Sequence, residues 1–150
     1  MNDFFKILKE TLLKGIIPGS IIIVYKGNSS YRKFLLTKAK HSSKITFPSG
    51  SIGWGENYEM AAIRELYEET GIKAKDIIDL PIQHTFKYKN ILFKPKSVQH
   101  IFVYKIKNAK NLKLYSKETI WFGWEDEERV KELLSHKELL ATFNKILNYL

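Results

Sequence analysis

"FPSGSIGWGENYEMAAIRELYEETGI", residues 47–72, gathers five glutamates in a chain that otherwise sets 25 Lys and Arg against 16 Asp and Glu. Its second half predicts a helix over Tyr58–Thr70, with Asn57 as N-cap and Gly71 at the left-handed position that ends it. On that helix Ala62, Ile63, Leu66 and Thr70 share a face suited to packing on a sheet. Glu65, Glu68 and Glu69 stand at i, i+3 and i+4 on another face. Like charges so spaced cost roughly 0.2–0.5 kcal/mol per pair, and a cation between them reverses the sign. The chain has no cysteine, and no two histidines have metal-ligand spacing. The carboxylates therefore favour a hard, oxygen-seeking ion, Mg²⁺ or Mn²⁺, which keeps several waters and completes its shell with phosphate oxygens. The competing reading is a solvated acidic helix face with Arg64 as its surface partner.

Outward from this stretch, "SIIIVY" (20–25) and "KFLL" (33–36) predict strands across a "KGNSS" turn. Residues 76–88 predict one or two short strands and "NILFKPK" a loop. "SVQHIFVYKIK" (97–107), rich in β-branched and aromatic residues, predicts the strongest strand. "LKLY" and "TIWFGW" predict further strands, and the chain from "EDEERVKELL" onward predicts helix with its acids in the first turn. The N-terminal "MNDFFKILKETLLKG" predicts an amphipathic helix burying Phe4, Phe5, Leu8 and Leu12. It has no signal-peptide core, and no apolar run is long enough to span a bilayer, so a cytoplasmic protein without membrane partners is expected. At 150 residues a single domain, 1–150, is expected, an α/β fold with a mixed sheet covered on both faces.

The net charge of +9 suggests an anionic partner, against the simpler reading of a lysine-rich solvated surface. Its distribution is informative. From Lys73 to Lys117 there are eleven lysines and only two acids, Asp76 and Asp79, directly after the acidic stretch.

Spacing decides between the two readings of the glutamates. From Gly50 the chain runs through five residues to Glu56, seven more to Arg64, then Glu65, Leu66, Tyr67, Glu68, Glu69, Thr70, Gly71 and Ile72. This is every defined position of the Nudix box, G-x5-E-x7-R-E-U-x-E-E-x-G-U with U a bulky aliphatic residue. A chance match is on the order of one in ten million at average residue usage. The chain thus resembles the Nudix hydrolases, and the resemblance implies their α/β/α sandwich and metal-dependent cleavage of a pyrophosphate in a nucleoside diphosphate-linked compound. It makes Glu68 and Glu69 the main metal ligands, Glu65 a further ligand or the base, and the Gly50 carbonyl part of the shell. Glu56 and Arg64 become a structural charge pair orienting the glutamates, while Gly50 and Gly55 serve tight turns of the loop.

Wider features, "KFLLTKA", "TFKY" and "KPKSVQHIFVY", resemble the diadenosine tetraphosphate hydrolases. That resemblance implies a phosphate contact at Lys96 or Lys94, adenine stacking with Tyr88 as candidate set against an ordinary core or surface aromatic, and a metal or base role for Glu118 set against an ordinary surface carboxylate. Ser49 stands where that subgroup has lysine before the box glycine. Gly53 and Trp54 replace the glutamate and proline of many members, and Trp54 is expected to pack on the loop, with capping of the pocket as the alternative. His41 is a candidate substrate contact, and His84, His100 and His136 are expected to be structural or exposed. Nucleoside triphosphates, ADP-ribose or nucleotide sugars and RNA 5′ ends are the alternative substrates. A catalytically silent ligand-binding module is the alternative from another class.

Overall fold

The computed structural model describes residues 3–89, 92 and 95–150. Its elements are α1 (Asp3–Lys14), β1 (Ile16–Asn28), β2 (Tyr31–Ala39), β3 (Ile45–Thr46), β4 (Ser49–Ser51), α2 (Tyr58–Thr70), β5 (Ile78–Lys87), β6 (Lys96–Lys105), β7 (Thr119–Glu125), α3 (Glu127–Leu133) and α4 (Lys137–Ile146), ending in a 3₁₀ turn over Leu147–Tyr149.

The strands form one mixed sheet in the order β3-β2-β1-β6-β5, with β4 also paired to β1 and β7 to β2. β1 runs antiparallel to β2 and parallel to β6. Residues Pro18 to Val24 are buried without a break, as expected of a central strand covered on both faces. Alternation sorts the side chains. Ile22, Val24, Leu35 and Phe102 pack under Ala62 and Leu66 of α2. Ile21, Ile23, Phe34, Leu36 and Ile101 pack against Val130 of α3 and Phe143 and Ile146 of α4. Phe143 meets Phe34 edge-on at 5.1 Å and Phe47 at 5.5 Å, so the first residue of the acidic stretch is a core anchor. This is the expected α/β/α arrangement.

Helix α2 keeps its predicted bounds. The Asn57 side chain accepts from Met60 N–H at 2.8 Å, and Gly71, at φ 79°, donates its N–H to the Tyr67 carbonyl. Its buried residues are Ala61, Ala62, Leu66 and Thr70. Ile63, assigned to that face, is only half-buried and lies on the outer side beside Met60 and Tyr67.

Three other expectations need correction. "LKLY" is no strand: Leu112 and Leu114 pack on the cluster under α2 without pairing, and burial produces the alternation that reads as a strand. Residues 76–88 hold one strand, within the one or two expected, with its register shift between Asp79 and Gln83. The last helix breaks at Leu134–His136 into α3 and α4, letting Val130 and Phe143 reach one core. In α1 it is Ile7 that is buried, while Phe5 is 56% exposed; the side chains of Phe4, Leu8 and Leu12 lie outside the described residues. No helix among the described residues is long and apolar enough to cross a membrane.

Candidate active site

The loop that carries the site is fastened to β1. Pro18 accepts the Ile52 N–H and Pro48 accepts the Ile22 N–H, both at 3.0 Å, and Gly50 pairs with Ser20 in the sheet. Across from it stands α2, tied down at its start by the Ser20 hydroxyl, which donates to the Tyr58 carbonyl at 2.6 Å.

Arg64 is the hub between loop and helix. Its Nε donates to Glu56 Oε1 at 2.6 Å, and one terminal nitrogen donates to Glu56 Oε2 at 3.1 Å and to the Ser51 carbonyl at 3.0 Å. The other donates to Glu65 Oε1 at 2.7 Å and Glu68 Oε2 at 3.0 Å. Glu56 also accepts the Gly53 N–H at 2.7 Å. The Arg64 hydrogen bond, more than any other influence, holds the Glu56 carboxyl below the usual carboxylate range. Glu56 in turn holds the guanidinium more firmly protonated. The expected ion pair is present, and its arginine also reaches two of the helix glutamates.

The glutamates behave differently from one another. Burial pushes the Glu65 carboxyl up against the pull of Arg64, with the charges of Glu68 and Glu118 adding to the rise. Glu69 faces β2, where Thr37 Oγ1 donates to its Oε2 at 3.2 Å and the Ser49 backbone N–H donates to it as well. Burial first, then the Glu65 charge, push Glu69 up to about 8 despite these bonds. Glu68 is the most open, with its side chain 40% exposed.

Gly50 is required by space rather than by a turn. A Cβ there would land on the Glu65 carboxylate, and its φ is not among the positive values of the chain. Its carbonyl lies beside Gly19 on β1. Gly55, at φ 76°, is the residue that turns the loop. Trp54, expected to pack on the loop, is 85% exposed at its tip.

A fourth carboxylate approaches from another element. Glu118 precedes β7, and its charge raises both Glu65 and Glu69. Its segment is pinned: the Ser116 hydroxyl donates to the Glu68 carbonyl at 2.5 Å and accepts the Glu118 N–H at 2.9 Å, and the Lys40 N–H donates to the Glu118 carbonyl at 2.6 Å. Among the described residues no three His, Asp or Glu side chains form a ready metal cage. The donor set still suits a hard divalent cation. Desolvated carboxylates that raise one another's pKa are stabilised by a cation among them, and none of the donors is sulfur.

On the α4 side of the sheet a groove leads away from Ser49. Its inner part, about 180 Å³, is walled by Ser49, His84 and Gln99. Its outer part, about 660 Å³, is walled by Lys87, Tyr88 and Lys96. Lys44, Phe86, His136 and Glu138 border both. The structure therefore brings Tyr88 and Lys96 into one wall and sets Glu118 with the acids instead; Lys94 lies outside the described residues. His84 is buried, meets Thr142 Oγ1 at 3.0 Å, and is pushed down in pKa by that burial. His100 stacks on Tyr58 with centroids 3.7 Å apart, on the other face, and His41 is exposed outside the groove walls. Sequence reading missed Thr37, Lys44, Gln99 and the wall position of His136. For Gln99 a signal existed, since strand alternation puts it on the face opposite His100.

The NUDIX domain family model matches residues 17–143. Among solved structures, a binary complex of a C. elegans Ap4A hydrolase superposes with a TM-score of 0.68 at 22% identity, covering 89% of this chain and 99% of that one. The E. coli dihydroneopterin triphosphate pyrophosphohydrolase gives 0.75 at 14% identity, over 89% and 96%. The NUDIX domain of Shewanella oneidensis NrtR, complexed with ADP ribose, gives 0.64 at 16%, over 87% and 88%. At these identities the three likenesses are likenesses of fold.

Proposed function

The chain belongs to the Nudix family, hydrolases of phosphoric anhydrides in nucleoside diphosphate-linked compounds, and within that reaction we propose that its substrate is a dinucleoside polyphosphate. The observation that carries this reading is the volume and charge of the groove. It starts at Ser49, whose backbone bonds Glu69, and runs past Lys44, Lys87, Lys89 and Lys96. Four lysines border it against one carboxylate, Glu138, which exceeds what one diphosphate needs and suits a longer phosphate chain. Lys44 supplies charge on the side where Ser49 lacks it, and Tyr88 and Phe86 offer ring faces for a base.

In this reading Glu65, Glu68 and Glu69, with the Gly50 carbonyl, hold Mg²⁺ or Mn²⁺. When bound, the ion lowers the pKa of water and offsets negative charge on the bridging phosphates. Arg64 fixes the glutamate rotamers, and Glu56 fixes Arg64 against the loop. One oxygen of Glu65 is tied to Arg64, which leaves the other to hold a water and take its proton. Glu118 adds a carboxylate from the far side.

The test is turnover of diadenosine tetraphosphate, ADP-ribose, a nucleoside triphosphate and a 5′-triphosphorylated oligonucleotide with Mg²⁺, scored by product identity. The highest kcat/KM should fall on diadenosine tetraphosphate. A higher value for any of the others overturns the substrate assignment.

A further inference from the structure

Lys26 and Lys33 are direct cross-strand partners where β1 and β2 approach their turn. Both lie on the α2 face, continuing the rows of Ile22 and Val24 and of Leu35. Like charges directly opposite in an antiparallel pair destabilise it, yet the described ion pairs engage only Arg64, Arg129 and Lys131. Each ammonium turns onto a ring instead: Lys26 sits 4.4 Å from the Trp124 centroid and Lys33 5.9 Å from that of Tyr31. The loop after β6 adds Lys107 and Lys110, and with Lys26, Lys33 and Tyr31 they line a groove of about 290 Å³. The Ile106 N–H donates to the Tyr25 carbonyl at 2.9 Å, which holds that loop beside β1. Tyr31 is 63% exposed.

We propose that this surface docks single-stranded nucleic acid, with the four lysines on backbone phosphates and Tyr31 stacking a base. Cations interleaved with an accessible ring are the recognition pattern for single strands, in which phosphates are neutralised and bases find a flat face. A membrane would call for apolar anchors, and the one exposed ring lining this groove is a tyrosine among charges. The surface is separate from the acidic centre. Lys33 lies four positions before Thr37, the residue bonded to Glu69, or ~13 Å along an extended strand.

The probe is a fluorescent 12-nucleotide oligouridylate with a 5′ hydroxyl, which carries no pyrophosphate, so the outcome is independent of the substrate assignment. Binding is followed by anisotropy across a salt series. Lys33→Glu should weaken binding at least tenfold while raising the melting temperature, because it turns a repulsive cross-strand pair into an attractive one. Lys107→Ala with Lys110→Ala should weaken binding and flatten the salt slope by about 0.7 for each phosphate no longer neutralised. Tyr31→Ala should weaken binding with the slope unchanged. The control is Lys137→Glu on α4, an exposed site with the same change of charge, which should retain binding. Absence of saturable binding, an equal loss in the control, or preferential binding to phosphatidylserine vesicles overturns the proposal.

Discussion

Arg64 holds Glu56 through two parallel hydrogen bonds, 2.6 Å from Nε and 3.1 Å from a terminal nitrogen, and so joins α2 to a residue that is not on it. Replacing Arg64 by Ala leaves Glu56 and Glu65, each with its side chain only 14% exposed, without their cation. The expected loss is about 2–3 kcal/mol, or roughly 5–10 °C in melting temperature for a chain of this size, with activity falling alongside. Arg64→Lys should recover only part, because an ammonium lacks the planar fork. A melting curve within a degree of the parent would refute the hub role.

Glu69→Gln and Glu68→Gln should each lower kcat/KM by at least about a hundredfold at saturating Mg²⁺, since even partners one step removed from a ligand cost 10–100-fold. Stability should move the other way in the metal-free protein. Glu69→Gln removes a desolvated acid beside Glu65, so its melting temperature in chelator should equal or exceed the parent's. Full turnover by either variant would contradict the assigned roles.

Stability of the metal-free protein should depend on pH through Glu69. Its carboxyl is raised from 4.5 to about 8, so the folded state keeps a proton that the unfolded state releases. The contribution is fully present below about 4.5, declines as pH rises, and is gone above about 8. Denaturant melts in chelator at pH 5, 6.5 and 8 should show this decline in the parent and less of it in Glu69→Gln. Parallel profiles would mean that Glu69 titrates normally.

Gly50→Ala places a methyl on the Glu65 carboxylate. The Glu65 carboxylate, the far end of a flexible side chain, must leave its position and its 2.7 Å bond with Arg64, at little cost to the fold. Turnover should drop severely while circular dichroism stays that of the parent. Unchanged kinetics would show that Glu65 has no fixed place in the reaction.

Lys94→Ala with Lys96→Ala should raise KM for diadenosine tetraphosphate by about fivefold, corresponding to about 1 kcal/mol from exposed charge pairing. KM for ADP-ribose should change less, because its two phosphates end nearer the acids. Steady-state kinetics at one ionic strength separate the cases, and equal changes would leave Lys96 a bystander.

The helix α2, its caps and its acidic face were legible because each depends on residues within a few positions of one another. So was β1 as an apolar run, although Pro18 and Gly19 hid its first turns. There the parallel pairing with β6, which no local pattern announces, extends the strand to Ile16. The groove was illegible for the same reason: Lys44, Gln99 and His136 come from three separate parts of the chain. "LKLY" and Trp54 show the opposite failure, where a local pattern or a residue's usual preference pointed one way and the surroundings decided otherwise.

The β1–β6 ladder also bears on how the chain reaches its native state. Ile16 pairs with Lys96 and Tyr25 with Lys105, each pair spanning 80 positions of sequence, so the central seam of the sheet closes only after a long loop has been constrained. Pairings so distant slow the search, whereas α2 and the β1–β2 hairpin form from neighbours. Stopped-flow refolding should therefore show helix signal gained ahead of a slower, cooperative burial of Trp121 and Trp124. During synthesis β1 can pair with β2 at once, but its other edge waits for β6, made much later. An apolar strand edge left open for that interval exposes the chain to aggregation.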